Sequence, residues 1–154
     1  LFKMYEIQPT KKFSGYSLEE YIKEMVKDTK LQKRIKQEFL TNYEKILKSV
    51  QLEINKELLR YLRAGEDPRI ALVTANTRKL TEEILAKTNL SKYFDIIITS
   101  EDCKYQKPHP EPYLKAIKEL NVNPQDCIVF EDSEIGIASA KAAKIGVVRK
   151  VTYT

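Results

Sequence analysis

The run Cys127-Ile128-Val129-Phe130 ends at two adjacent carboxylates, Glu131 and Asp132, and a stretch of small residues follows at once. Carboxylates at the end of a buried apolar run are costly unless a cation compensates them. Two earlier segments carry complementary groups. Val73-Thr74-Ala75-Asn76-Thr77 sets a hydroxyl and backbone N–H groups between an apolar run and the start of a helix, which suits an anion site, although a threonine there is more often a simple N-cap. Gln106-Lys107-Pro108-His109-Pro110-Glu111-Pro112 sets a lysine beside three closely spaced prolines. Proline fixes φ, so this loop can hold Lys107 in one direction, although a surface lysine is the plainer alternative. His109, the sole histidine, lies between two prolines and reads as structural or incidental. Thr99-Ser100-Glu101-Asp102 reads as a cap or a solvated turn.

A hydroxyl with backbone amides, a lysine and a carboxylate pair suit one kind of ligand. Mg²⁺ takes hard oxygen ligands and is usually held by one or two carboxylates together with substrate phosphate. The set therefore fits a phosphoryl group bridged to Mg²⁺. A structural ion pair from Lys107 to Asp132 is the competing explanation.

These groups need elements to bring them together. Residues 1–48 read as helical. Ser17-Leu18-Glu19-Glu20 has the form of a capping box, and Tyr21, Ile22, Met25 and Val26 follow at helical spacing. A second helix carries Leu31, Ile35, Phe39, Leu40, Tyr43 and Leu47, and a third, through Leu58, Leu59 and Leu62, ends near Gly65. Beyond it, apolar runs and helices alternate: strands at 70–73, 96–98 and 128–130, helices at 80–88, 112–120 and 135–144, and a last strand from Gly146. The runs are short, continuous and rich in Val and Ile, the pattern of strands buried on both faces. The alternation predicts an α/β fold with a parallel sheet, whose ligands gather at the carboxyl ends of the strands.

The 154 residues suffice for one core with an appendage, and 42% hydrophobic with 32% charged residues excludes a disordered chain. No run is long enough to span a membrane, and no signal-peptide stretch is present. Cys103 and Cys127 have no metal-binding spacing; Cys127 reads as a buried free thiol, and a reducing, cytoplasmic compartment is expected. The net charge of +5 is spread over both halves of the chain. Lys27, Lys30, Lys33, Arg34 and Lys36 read as a solvated helix face rather than a nucleic-acid patch, and neither nucleic acid nor membrane is an expected partner.

In order and spacing these pieces resemble the haloacid dehalogenase superfamily, most closely its helical-cap branch of beta-phosphoglucomutase-like enzymes and sugar-phosphate or phosphoglycolate phosphatases. ALVTAN at 71–76 looks like the second motif, YQKPHPEPY at 105–113 like the third, and VFEDSEIGIASAKAAKIG at 129–146 like the fourth. The resemblance implies a Rossmann-like core at 49–154 and a partial helical cap at 1–48. It implies a Mg²⁺-dependent phosphatase that acts on a small phosphorylated metabolite through a phospho-aspartate. Thr74 and the Ala75 and Asn76 amides would hold the phosphoryl group, Lys107 would neutralise it, and Asp132 with Glu131 would hold Mg²⁺. Gly136 would let the following helix start close beneath the loop, and Ala138, Ala140, Ala142 and Ala143 would let it pack tightly. In the cap, Gly15, Tyr16 and Ser17 would face substrate. Leu18 stands where the phosphoglucomutase type carries a basic residue, which disfavours a mutase.

The resemblance breaks at the first motif. The family's nucleophile lies in an Asp-x-Asp-x-Thr pattern on an N-terminal strand in the middle of the sheet. No Asp-x-Asp occurs in this sequence, and its first aspartate, Asp28, reads as lying inside a helix. Two sheet edges would then lack partners, at about 1–3 kcal/mol per unpaired buried group against a net stability of about 5–15 kcal/mol. With a start at Leu1 and an end at Thr154, the expectation is a fragment whose first central strand comes from a missing N-terminal segment or a strand-donating partner. A phosphomutase and a non-catalytic phosphate-binding protein are the alternatives.

Overall fold

The computed structural model describes residues 18–63 and 69–152. Gly15, Tyr16, the Ser17 cap and the helix end at Gly65 lie outside the described residues. The chain divides into two compact units, Leu1–Gln51 and Leu52–Thr154.

In the first unit, α1 (Leu18–Met25) and α2 (Thr29–Ser49) pack through Ile22, Val26 and Ile35, with Leu18, Met25 and Leu31 around them. Asp28 is not inside a helix. It is the N-cap of α2, and its carboxylate accepts from the Lys30 N–H at 2.7 Å and the Leu31 N–H at 3.0 Å. A short acidic side chain that can take two orphan N–H groups breaks the chain here rather than continuing the helix. Lys27, Lys30, Lys33 and Arg34 are exposed, and Lys36 pairs with Glu19 at 2.9 Å.

The second unit contains α3 (Lys56–Arg63), β1 (Ala71–Val73), α4 (Arg78–Thr88), β2 (Ile96–Ile98), α5 (Glu111–Leu120), β3 (Ile128–Glu131), α6 (Glu134–Ala142) and β4 (Val147–Lys150). The strands arise from short apolar runs, β2 wholly isoleucine and the others carrying one or two Val or Ile, that are too short for a helix. The helices α4 and α5 end at Asn89 and Asn121, both left-handed with φ 54°, a conformation asparagine tolerates.

Pairing is parallel throughout. Ala71 to Val73 align with Ile96 to Ile98, and Ile128 to Glu131 align with Val147 to Lys150. Among the described residues, β1 and β3 each pair on one side only, so the sheet consists of two separate two-stranded pieces. They share a core in which Tyr113, Ala140 and Ala143 are buried against Val73 of β1 and Val129 and Val148 of β3 and β4.

Burial on both faces is reached at Ile98 of β2, 1% exposed, but not along β3 and β4. Ile128 is 54% and Val147 41% exposed, and the β1 residues are half-buried. Phe130 is partly covered by Tyr61, whose ring is tilted 43° at 4.8 Å between centroids, whereas Ile128 and Val147 stay exposed. Cys127, at the start of β3, is likewise half-buried, with its thiol directed at the Asn123 carbonyl at 3.3 Å.

The turn after β2 is a cap. The Thr99 N–H and hydroxyl both donate to the Asp102 carboxylate at 2.7 Å, and Arg78 pairs with the same oxygen at 2.6 Å. Glu101 accepts from the Arg78 N–H at 2.7 Å. Burial raises the Asp102 carboxyl, but Thr99 and Arg78 outweigh it and hold it below the usual carboxylate range. A carboxyl lowered by folding stabilises the protein above its unfolded value of about 4, and that stabilisation is lost as pH falls through the folded value. Thermal unfolding of the protein from about pH 6 to about pH 3 is therefore expected to lose more midpoint temperature than that of Asp102→Asn, by an amount matching at most about 1 kcal/mol, the most that one carboxyl with an unfolded value of about 4 can give up above pH 3. Equal acid sensitivity of the two would contradict this assignment.

Candidate functional site

The carboxyl ends of β1 and β3 meet at one side chain. Lys107, in the loop before α5, is only 6% exposed. Its Nζ donates to the Val73 carbonyl at 3.1 Å and forms an ion pair with Glu131 Oε1. It therefore reaches the last residue of β1 and the last residue of β3. The proline-rich loop that aims it is anchored further on, where Ser139 of α6 donates to the His109 carbonyl at 2.6 Å. The imidazole Nδ1 of His109 accepts from the Glu111 N–H at 3.2 Å, which makes this histidine part of the start of α5.

The fold treats the two carboxylates differently. Glu131 is 7% exposed and takes four hydrogen bonds. Lys107 and the Tyr113 hydroxyl, at 2.8 Å, reach Oε1, whereas the Ser133 N–H at 3.2 Å and hydroxyl at 3.0 Å reach Oε2. A carboxylate offers about four acceptor positions, so Glu131 is saturated by its own chain. Burial raises its carboxyl, but the Lys107 charge and the bonds from Lys107, Tyr113 and Ser133 outweigh that and hold it low. Burial first, then the Glu131 charge, push the Tyr113 phenol far up, so it stays a donor. Asp132 is exposed. The ion pair of Lys107 thus runs to Glu131, not to Asp132.

At the end of β1, the Thr74 hydroxyl accepts from the Asn76 N–H at 3.1 Å, and the Thr74 N–H donates to the Ile98 carbonyl at 2.9 Å. The cap of α4 is Thr77, whose hydroxyl accepts from the Leu80 N–H at 3.4 Å. Thr74 is therefore not the cap and its hydroxyl hydrogen stays available within the loop. Thr74 and Ala75 are half-buried and Asn76 is exposed. Lys107 ties this loop to the β3 end through the Val73 carbonyl next to Thr74.

Among the described residues, no three His, Cys, Asp or Glu side chains converge as a metal cage. One exposed carboxylate, Asp132, remains for a cation. That meets the lower end of what Mg²⁺ requires from a protein when substrate phosphate and water supply the other oxygens.

Tyr113 and Ser133 are functional neighbours that the sequence did not disclose by spacing. Tyr113 lies 18 residues from Glu131, and only the fold of α5 against β3 joins them. Ser133 has a visible signal, a hydroxyl three residues before Gly136, and it caps α6 by accepting from the Gly136 N–H at 3.1 Å. Ala140 of α6 and Ala143, its C-cap, are buried, whereas Ala138 and Ala142 face solvent.

Gly136 has a specific reason to lack a side chain. A Cβ built there would fall inside the Glu131 carboxylate. That carboxylate is the end of a flexible side chain, but moving it breaks its four hydrogen bonds. Gly136→Ala, which in an ordinary helix gains about 1 kcal/mol, is expected instead to lose about 1–3 kcal/mol in chemical denaturation. A gain in stability would contradict the packed carboxylate.

Comparison with known proteins gives this geometry its family. The family model described as haloacid dehalogenase-like hydrolase matches residues 2–150. The chain is 40% identical over 77 residues to the phosphorylated carbohydrates phosphatase of Thermotoga maritima, covering 50% of this chain and 36% of that protein. It is 35% identical over 74 residues to the fructose-1-phosphate phosphatase of Escherichia coli, covering 48% and 39% respectively. Those matches thus span well under half the length of these relatives. Among solved structures, beta-phosphoglucomutase from Clostridium difficile superimposes with a TM-score of 0.75 at 25% identity, over 90% of this chain and 66% of that one. The arrangement of parallel strands, proline-flanked Lys107 and Glu131-Asp132 belongs with this match: the chain is a member of the haloacid dehalogenase-like hydrolase family.

Proposed function

We propose that the protein is a Mg²⁺-dependent phosphatase of small phosphorylated metabolites, most simply phosphorylated carbohydrates. The observation that carries this reading is the buried Lys107, held at the carboxyl ends of both strand pairs by the Val73 carbonyl and Glu131. An ammonium has three N–H groups and these two acceptors take two of them, leaving one for a phosphoryl oxygen. Thr74, one residue beyond Val73, offers its hydroxyl hydrogen and the adjacent loop backbone to the same group. Both act on charge that grows on the phosphoryl oxygens during transfer, in a site screened little by water. Asp132 is the carboxylate that would hold Mg²⁺, which when bound offsets charge on the phosphate oxygens.

The nucleophile in this reading is an aspartate that becomes phosphorylated, and the Asp-x-Asp pattern that would supply it does not occur in residues 1–154. The one-sided pairing of β1 and β3 supports a further strand between them, carried by an N-terminal segment or donated by a partner. The first unit, with its two packed helices, would serve as the cap. A phosphomutase is the second reading, favoured by the likeness to beta-phosphoglucomutase. Leu18 weighs against it, because that side chain packs into the α1–α2 core.

The test is phosphate release by the full-length protein, the nucleophile-bearing strand included, from an aryl phosphate and a panel of hexose phosphates, with Mg²⁺ and with a chelator. The expected result is Mg²⁺-dependent release without added bisphosphate, reduced by about a hundredfold or more in Lys107→Met. A requirement for a bisphosphate would favour the mutase. Phosphate binding without any turnover would indicate a non-catalytic protein and sink the phosphatase reading.

A further inference from the structure

The saturated state of Glu131 has a second author besides Lys107. Tyr113 sits in the first turn of α5, buried, and touches both members of the ion pair. Its hydroxyl donates to Glu131 Oε1 at 2.8 Å, the same oxygen that faces Lys107. Its ring lies under the ammonium, with Lys107 Nζ 4.9 Å from the centroid. A cation over an aromatic face is attracted to it, and more strongly in a desolvated site. The remaining contacts of the pair come from backbone or from Ser133, on the other oxygen. Among the described residues, Tyr113 is therefore the one side chain that fixes where the carboxylate sits and also limits where the ammonium can move.

We propose that Tyr113 is a positioning residue for Lys107: through its hydroxyl on Glu131 and its ring beneath Nζ, it directs the third N–H of the lysine toward the phosphoryl group. By the same geometry Glu131 is the lysine's anchor rather than a metal ligand, and the cation is left to Asp132. This rests on the phosphatase reading. A tyrosine that merely packs would matter equally whether or not Lys107 is present. A tyrosine that positions Lys107 matters only when the lysine is there.

A double-mutant cycle separates the two. Tyr113→Phe keeps the ring and removes the donor. In the otherwise unchanged protein it is expected to lower kcat for the aryl phosphate about tenfold, as for loss of a hydrogen bond to a charged group, with KM changed less than about twofold. In Lys107→Met it is expected to change kcat by less than about twofold. Glu131→Gln approaches the same link from the other side and is expected to be coupled to Lys107 in the same way, so the test survives if the phenylalanine variant does not fold. An unchanged kcat in Tyr113→Phe, or an equal loss in both backgrounds, overturns the proposal. If the unaltered full-length protein, nucleophile-bearing strand included, shows no turnover, the phosphatase reading fails on its own. The same cycle is then read as the affinity for inorganic phosphate in calorimetry, where weakening by Tyr113→Phe only in the presence of Lys107 supports the positioning role. Phosphate affinity that is absent, or lost equally in both backgrounds, overturns it.

Discussion

One buried ion pair organises the second unit of this chain. Lys107 and Glu131 come from segments separated by α5, and neither is more than 7% exposed. Withdrawing two charges from water is expensive, and the mutual attraction repays it only when the remaining donors and acceptors are satisfied. Here they are: the Val73 carbonyl shares the ammonium, and Tyr113 and Ser133 complete the carboxylate. Several otherwise separate features follow from it. Gly136 must lack a side chain because the carboxylate occupies that space. Ser133 both holds Glu131 and caps α6, so the helix start is fixed relative to the β3 end. The two strand pairs, unjoined by backbone bonds among the described residues, are tied by a side chain at the end where ligands of such sheets collect.

The same pair gives the site its chemical character. A lysine on a surface loop is a hydrated, mobile charge. A lysine clamped between a carbonyl and a carboxylate is preorganised, and preorganised charge stabilises a developing negative charge without rearrangement at the moment of reaction. The cost of that arrangement is that Glu131 is spent on the protein itself. Adjacent carboxylates of equal formal charge thereby acquire different tasks, set by burial: one anchors, the other faces solvent.

Much of this was legible in the sequence. The order of strands and helices follows from short β-branched runs between helical stripes, and all eight elements of the second unit fall where the pattern places them. Lys107 could be singled out because three closely spaced prolines follow it, and Glu131-Asp132 because two acids end an apolar run. What spacing could not decide was pairing. Either carboxylate satisfies a sequence-level ion pair with Lys107, and only the register of β3 turns Glu131 inward. Tyr113 was invisible as a contributor because its contact spans α5 and β3. Burial was overestimated for Ile128 and Cys127, since apolar character records what a strand can bury, not which partners cover it. Asp28 was misplaced for a related reason: helical stripes on both sides of it hid a break that one short carboxylate stabilises.

The most direct test of the central claim is a crystal structure of the protein with inorganic phosphate and Mg²⁺. Lys107 Nζ is expected within hydrogen-bonding distance of both Glu131 and a phosphate oxygen, with Tyr113 still on Glu131 and the cation on Asp132. Glu131 swung away from Lys107 to ligate the cation, or Lys107 turned out to solvent, would contradict it.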